Sequence, residues 1–379
     1  MKVFGEGYKR ILICGEAPGY NESEQNRPFI GKSGQLLKET LEKFDVDMDR
    51  DCWLYNSCIC RPMTREGKNR TPTDKEISFC RPNVVKTIQE LKPNVIIPLG
   101  GSAVKSILGW LWGSNVGMIS RWDGWRIPCQ QINAWVCPTW HPSYILRDDY
   151  GSKKQNEVRK LLFERHLEAA CKKMEKPWKA LPDYPSKVRR IYKDDEAADA
   201  IQEMMESGRP LAWDIENSPL KPDRADSFIL CCAISDGRTS IAYPWQGRAI
   251  EATLDFIRSD VPKIGFNIKH EIRWLLRQGV RVKNWVWCGM IGAHVLDNRM
   301  GVASLEFQTF VNLGYVAGKG RMKPFFKSSG SNEHNRIREV PLDQMLMYCG
   351  TDALLEWFVG VRQAKKMGID LFPKDLAKT

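Results

Sequence analysis

Three times in its first 110 residues the chain passes from a short apolar run to an amphipathic stretch. "RILICGEAPG" leads to "SGQLLKETLEKF", "CWLYNSCIC" to "TDKEISFCRPNVVKTIQEL", and "PNVIIPLG" to "GSAVKSILG". Short apolar runs bounded by turns read as buried strands, and apolar spacings of three and four mark helices. Thr73 opens the second helix. Strand–helix alternation of this kind predicts an α/β fold, a mainly parallel sheet with helices on both faces. "WRIPCQQ" and "AWVCPTWHPS" read as closing strands. In such a sheet functional side chains gather where strands end at their carboxyl edge.

The pattern changes near residue 171. "CKKMEKPWKALPDYPSKVRR" (171–190) holds three prolines and a basic excess, and 379 residues exceed one ordinary core. We therefore expect one domain at 1–172, a basic proline-rich linker at 173–189 and a second domain at 190–379. The second opens with a helical pattern, "DDEAADAIQEMMESG", followed by three strand-like runs, "PLAWDIENS", "FILCCAISDG" and "TSIAYPW". Consecutive strands imply an antiparallel meander and an α+β domain. The glycine-rich, basic stretch 317–340 reads as a mobile loop.

Charge indicates the partner. The net charge is +11, and residues 151–190 alone hold 12 Lys+Arg against 5 Asp+Glu. A polyanion is implied, with DNA or RNA first among candidates. No apolar run is long enough for a membrane helix, and "MKVFGEGYKR" is no signal peptide. Twelve cysteines without paired spacing suit a reducing compartment, so a cytoplasmic protein is expected.

"WDIEN" sets Asp214 and Glu216 two apart on a strand, so both side chains leave the same face. Buried like charges at that spacing repel unless a cation lies between them. "GFNIKHEIRWLL" carries Asn267, Lys269 and Glu271 into a helix, and "MLMYCGTDALLEWF" places Tyr348 and Asp352 one turn apart on one face. Four carboxylates from separate elements can hold two divalent ions through oxygen. Two such ions suit attack of water on a phosphodiester.

In their order these segments, together with "HVLDNRMGVASLEFQTFVNLGY", resemble the DEDD 3′–5′ exonuclease domain of family A DNA polymerases over roughly 188–375. The resemblance implies an RNase H-like fold, Mg²⁺ or Mn²⁺ as a pair of ions, Asp214, Glu216, Glu271 and Asp352 as ligands, and Tyr348 orienting the attacking water. Asn267 and Lys269 become candidate DNA contacts. Glu271 departs from the family, which usually has aspartate there; the extra methylene moves the carboxylate by about one bond length, where geometry matters to about 1 Å.

The first domain offers a second constellation. Glu16 and Glu22 flank the turn after the first strand, Phe29 follows, Asn56 ends a strand and His141 lies in a proline-bounded loop. One extruded base would need such a set: a ring to stack on, an amide for its Watson–Crick edge, a donor for an oxygen gaining charge, and a carboxylate for water or a cationic sugar. The motifs "GEAPG", "PFIGKSGQLL", "NRTPTDKEISFC", "LKPNVIIPLGGSAVKSILG" and "HPSYILR" resemble the family 4 uracil-DNA glycosylases over roughly 8–170. That resemblance implies uracil binding by Phe29 and Asn56, water positioning by Glu16 and Glu22, stabilisation of leaving uracil by His141, and insertion of the loop Ser143–Arg147 into DNA.

The family typically carries four cysteines for an iron–sulfur cluster. Here no CxxC precedes the first strand, Cys80 matches one ligand position, and "VIIP" stands at 95–98 where another should fall. A cluster is not expected, and the cysteines read as buried free thiols; a substitute site for iron–sulfur or zinc at Cys52, Cys58, Cys60 and Cys80 is the lesser alternative. The domain order resembles that of some bacteriophage family A polymerases. It implies a replication or repair enzyme of a bacterial or phage-infected cell, partnered by a polymerase module, fused or separate. The alternative is a non-catalytic uracil-sensing domain serving as the exonuclease subunit of that polymerase.

Overall fold

The computed structural model describes residues 2–113, 116–147, 153–316 and 319–372. It divides into two compact units, Met1–Leu181 with Phe310–Val316, and Pro182–Thr309 with Ala317–Thr379. No helix among the described residues is long and apolar enough to cross a membrane.

The first unit is built on β1 (Ile11–Gly15), β2 (Cys52–Asn56), β3 (Val95–Pro98), β4 (Ile127–Cys129) and β5 (Ala134–Val136), in the order β2-β1-β3-β5-β4. All neighbours run parallel except β4 and β5, which form an antiparallel hairpin. β1 and β3 are buried along their whole length, as a sheet covered on both faces requires. Ile11, Ile13, Val95 and Ile97 share a core with Leu37, Leu41, Phe163 and Leu167, so helices Lys32–Glu42 and Lys153–Cys171 cover one face. Helices Asp74–Leu91 and Gly100–Leu111 pack on each other, and the latter on β1 and β3. Thr73 caps helix Asp74–Leu91: its hydroxyl accepts from the Glu76 N–H, and the Glu76 carboxylate accepts from the Thr73 N–H.

The start of β3 and the β4–β5 hairpin are stitched to residues 174–178. Asn94 Nδ2 donates to Met174 O (2.6 Å), Trp135 Nε1 to Glu175 O (3.1 Å) and Trp178 Nε1 to Pro128 O (2.8 Å). Phe310, from the distant stretch of this unit, is fully buried against Trp112 and Trp122, with ring centroids 5.0 and 6.1 Å away. Gln130 then donates through N–H to Gly314 O (3.0 Å) and through Nε2 to Leu313 O (2.8 Å).

The second unit contains β6 (Val188–Arg190), β7 (Leu211–Ser218), β8 (Phe228–Ser235), β9 (Ser240–Pro244), β10 (Lys263–Gly265) and β11 (Trp285–Cys288). Their order is β11-β10-β7-β8-β9-β6. β7, β8 and β9 form the expected meander, while β10 runs parallel to β7 and β6 parallel to β9. The 25-residue helix Leu342–Lys366 lies across this sheet from β6 to β10. The first unit is α/β, and the second joins the antiparallel meander to flanking parallel strands under one long helix, as an α+β domain does.

The stretch expected as a loop at 317–340 is more ordered than its composition suggested. Residues 317 and 318 lie outside the described residues, but Lys319–Phe326 is helical despite Pro324, and Ile337–Glu339 is a short 3₁₀ turn. His334 and Asn335 pin it to the end of β7: His334 Nδ1 meets Ser218 Oγ at 3.0 Å, and Asn335 N–H donates to the same hydroxyl at 3.1 Å. Apolar Met322 and Ile337, buried against the helix Leu342–Lys366, outweigh the polar residues around them.

Candidate functional site

In the first unit the ends of β1 and β2 define a pocket. Gly15 and Asn56 are direct partners in the parallel register. A Cβ on Gly15 would stand 2.5 Å from Asn56 Oδ1 and 2.7 Å from Phe29 Cζ, so the bare backbone lets ring and amide close over the strand end. Phe29 occupies a left-handed backbone conformation (φ 60°). Its N–H donates to Glu22 Oε1 (2.6 Å), and Gly19 N–H donates to Glu22 Oε2 (2.7 Å). The Glu22 carboxylate therefore braces the turn that carries Phe29. Glu16 accepts at Oε2 from Ser102 Oγ (2.8 Å), a residue that sequence reading passed over. Its signal was positional: Ser102 lies in the first turn of the helix just after β3.

His141 completes the set. Its Nδ1 accepts from the Ser143 N–H (3.2 Å) and contacts Ser143 Oγ (2.8 Å). A neutral ring so held carries its proton on Nε2. Burial, helped by the Arg147 guanidinium, lowers its pKa to about 4. Glu16, Glu22, Phe29, Asn56 and His141 all line one cavity of about 300 Å³, joined by Arg70. Arg70 was not anticipated; Glu76 fixes it through paired hydrogen bonds of 2.6 and 2.8 Å. Ser143 is committed to His141, whereas the Arg147 side chain is exposed.

Gly34, in the first turn of helix Lys32–Glu42, sits against the Phe29 carbonyl, where a Cβ would lie 1.7 Å from the oxygen. Gly34→Ala must displace the Phe29 turn, because backbone cannot yield as a flexible side chain would. We expect a stability loss of about 1–3 kcal/mol and weaker binding of a uracil-bearing strand, read by thermal melting and fluorescence anisotropy. Unchanged affinity would remove Phe29 from the binding surface.

Cys52, Cys58, Cys60 and Cys80 do not assemble into one site. Cys58 and Cys80 share one small buried cluster as free thiols, Cys52 neighbours Cys171, and Cys60 is exposed. Burial pushes the Cys58 thiol up to about 12, so it stays protonated. No three of these sulfurs lie within 4.8 Å of one another among the described residues. The strand spacing explains it: Cys52 opens β2 whereas Cys58 lies beyond its end.

In the second unit Asp214 and Glu216 leave β7 on one face, flanked by buried Trp213 and Ile215 on the other. Glu271 opens helix Lys269–Arg277, is 4% exposed, and has no hydrogen-bond partner at Oε2. Burial first, then the Asp214 charge, push its carboxyl well above the usual range. Tyr348 is likewise pushed far up by burial and by Asp352, Glu216 and Asp214, and its hydroxyl bonds to Asp352. Phe326 packs on the Tyr348 ring at 5.3 Å. Asn267 takes a left-handed turn (φ 64°) before the helix, and Lys269 is exposed at its start. The five expected residues thus share one electrostatic neighbourhood. It also holds Cys349, unanticipated, whose ligand atom lies within 4.8 Å of those of Asp214 and Glu216. Its signal was the i,i+3 spacing to Asp352.

The donor set suits divalent metal. A buried Glu271 oxygen without a hydrogen-bond partner, set among like-charged carboxylates, is costly alone and satisfied by a hard cation.

Comparison with known proteins gives two matches. Residues 2–164 fit the uracil DNA glycosylase superfamily and residues 188–357 a 3′-5′ exonuclease family. The type-4 uracil-DNA glycosylase of Thermotoga maritima is 32% identical over 173 residues, 43% of this chain and 78% of that protein. The DNA polymerase of Bacillus phage SP01 is 33% identical over 105 residues, 28% of this chain and 11% of the polymerase. Among solved structures, the catalytic core of RRP6 from Trypanosoma brucei overlaps 50% of this chain and 47% of its own, at 14% identity and a TM-score of 0.38. This chain spans about half the length of that structure.

Proposed function

Because the chain belongs to the uracil-DNA glycosylase superfamily through its first half and carries a 3′-5′ exonuclease domain in its second, we propose that it processes DNA at two sites, excising uracil at one and shortening 3′ ends at the other. The pocket of about 300 Å³ shared by Phe29, Asn56, His141 and Glu16 carries the first half of this reading. A flipped uracil stacks on Phe29 and meets the Asn56 amide along its Watson–Crick edge. As the C1′–N1 bond breaks, its electron pair moves onto the base, and His141 Nε2–H donates to the oxygen that gains charge. Glu16, held by Ser102, orients the water that adds to C1′. Glu22 acts at one remove, by fixing Phe29. Arg147 and its loop meet the DNA.

At the second site Asp214, Glu216, Glu271 and Asp352 would hold divalent ions of the Mg²⁺ or Mn²⁺ kind, and Tyr348 would direct a water at the terminal phosphodiester. Bound ions there supply Lewis acidity to the water and to the leaving 3′ oxygen. The orphaned Glu271 Oε2 supports this assignment. Asn267 and Lys269 flank the strand end and contact the DNA backbone. A family A polymerase module, fused or separate, is the partner this pairing serves; the identity to a phage DNA polymerase supports it. Labelled strands with and without uracil, incubated in Mg²⁺ or in EDTA, test both activities together. Alkali-labile sites in EDTA and 3′ shortening in Mg²⁺ are expected. Uracil binding without any labile site at stoichiometric protein would instead leave a uracil reader.

The His141 environment fixes a pH dependence. Its folded pKa is lowered to about 4 from 6.5, so the neutral donor persists as pH falls through the range where a free imidazole charges. The stability it contributes is full above 6.5 and is lost as pH falls from there to about 4. Uracil excision should stay level between pH 7 and about 5, with its acid limb near 4. Arg147→Met should raise that limb by removing a neighbouring positive charge. A limb at 6.5 that Arg147→Met leaves in place would dismiss the buried neutral donor.

A further inference from the structure

The second site contains a donor that phosphodiester chemistry with hard ions does not call for. Cys349 Sγ, one carboxylate oxygen of Asp214 and one of Glu216 lie mutually within 4.8 Å. The thiol is fully buried and donates to the Asp214 carbonyl at 3.6 Å, so it lies against the strand that carries the acidic pair. Cys231, directly opposite Glu216 on β8, lies beside Cys349 in the same core. Independently, Glu271 places a buried oxygen without a hydrogen-bond partner beside Asp214. Mg²⁺ takes oxygen ligands and gains nothing from sulfur, whereas ions of the zinc class prefer thiolate.

We infer that Cys349 makes the carboxylate cluster a thiophilic metal site, binding one Zn²⁺-class ion through Cys349 Sγ together with Asp214 and Glu216. As the sulfur–metal bond forms, the S–H proton leaves to solvent; no electron is transferred. The ion occupies the two carboxylates that Mg²⁺ needs, so zinc inhibits digestion by competition. This inference rests on the reading that these carboxylates hold divalent ions.

The test uses the full chain, kept reduced and stripped of metal, with Co²⁺ or Cd²⁺ added alone. Wild type should gain a sulfur-to-metal charge-transfer band that Cys349→Ser lacks. Serine keeps a hydrogen-bond donor for the Asp214 carbonyl. The Asp214→Asn variant checks the same site without touching the sulfur, and should weaken the band. In Mg²⁺-supported digestion, the Zn²⁺ concentration giving half inhibition should rise roughly tenfold or more in Cys349→Ser. Equal bands in wild type, Cys349→Ser and Asp214→Asn overturn the inference while Mg²⁺-dependent digestion leaves the nuclease reading intact. A Cys349-dependent band in a protein that digests nothing supports the thiophilic site and discards the nuclease.

Discussion

Asp214→Ala should abolish metal-dependent shortening of 3′ ends and should not lower the melting temperature of the metal-free protein. Both halves follow from one electrostatic fact. Without a cation, Asp214 stands among like charges: it raises the carboxyl of Glu271 and adds to the upward push on Tyr348. Removing it relieves repulsion, so the metal-free melting temperature should rise or hold. The same change deletes a ligand shared by any ion between Asp214, Glu216 and Glu271. Loss of several kcal/mol of transition-state stabilisation, at about 1.4 kcal/mol per factor of ten, lowers digestion about a thousandfold or more. Mg²⁺ should raise the melting temperature of wild type but not of the variant. A metal-free protein that melts lower after the substitution would mean Asp214 is a structural partner, and the metal assignment would fall with it.

Phe310→Ala destabilises the first unit by about 3–5 kcal/mol, although the residue is encoded 129 positions after Leu181, where that unit's main segment ends. Phe310 is fully buried between two tryptophans that are themselves edge-on to each other at 5.7 Å. Losing its ring leaves a cavity walled by Trp112 and Trp122 and forfeits two aromatic pairs of about 0.5–1.5 kcal/mol each. If the proposed activities hold, uracil excision after brief heating reads the first unit and Mg²⁺-dependent digestion the second, so each is followed in one sample. The excision midpoint should fall markedly. A midpoint shift smaller than about 1 kcal/mol would show that the tryptophans close on themselves without Phe310.

Sequence periodicity carried far in the sheet and poorly beyond it. The apolar runs at Ile11–Gly15, Cys52–Asn56 and Val95–Pro98 are strands because burial on both faces leaves their pattern no polar interruption. The alternation in "WDIEN" likewise placed Asp214 and Glu216 on one side. What escaped was set by contacts far apart in sequence. Nothing local in "FQTFVNLGY" tells that Phe310 belongs with Trp112, since a buried aromatic reads the same whichever core it joins. Glu22 looked like a carboxylate aimed at substrate, and only the folded turn shows both oxygens receiving backbone N–H groups. Lys319–Phe326 was hidden by its glycine, proline and charge, which a few buried contacts override. Cys349 was overshadowed by the tyrosine beside it.

The discontinuous make-up of the first unit also sets a schedule. A ribosome finishes Leu181 and must then add the 128 residues Pro182–Thr309 before Phe310 emerges. At roughly 5–20 residues per second, that is a wait of roughly 6–26 seconds. During it Trp112 and Trp122 lack their covering ring, on a nascent chain whose sheet is otherwise complete. Stalling or slow codons within that interval lengthen the exposure, so the yield of correctly folded first unit depends on how quickly the following stretch is translated.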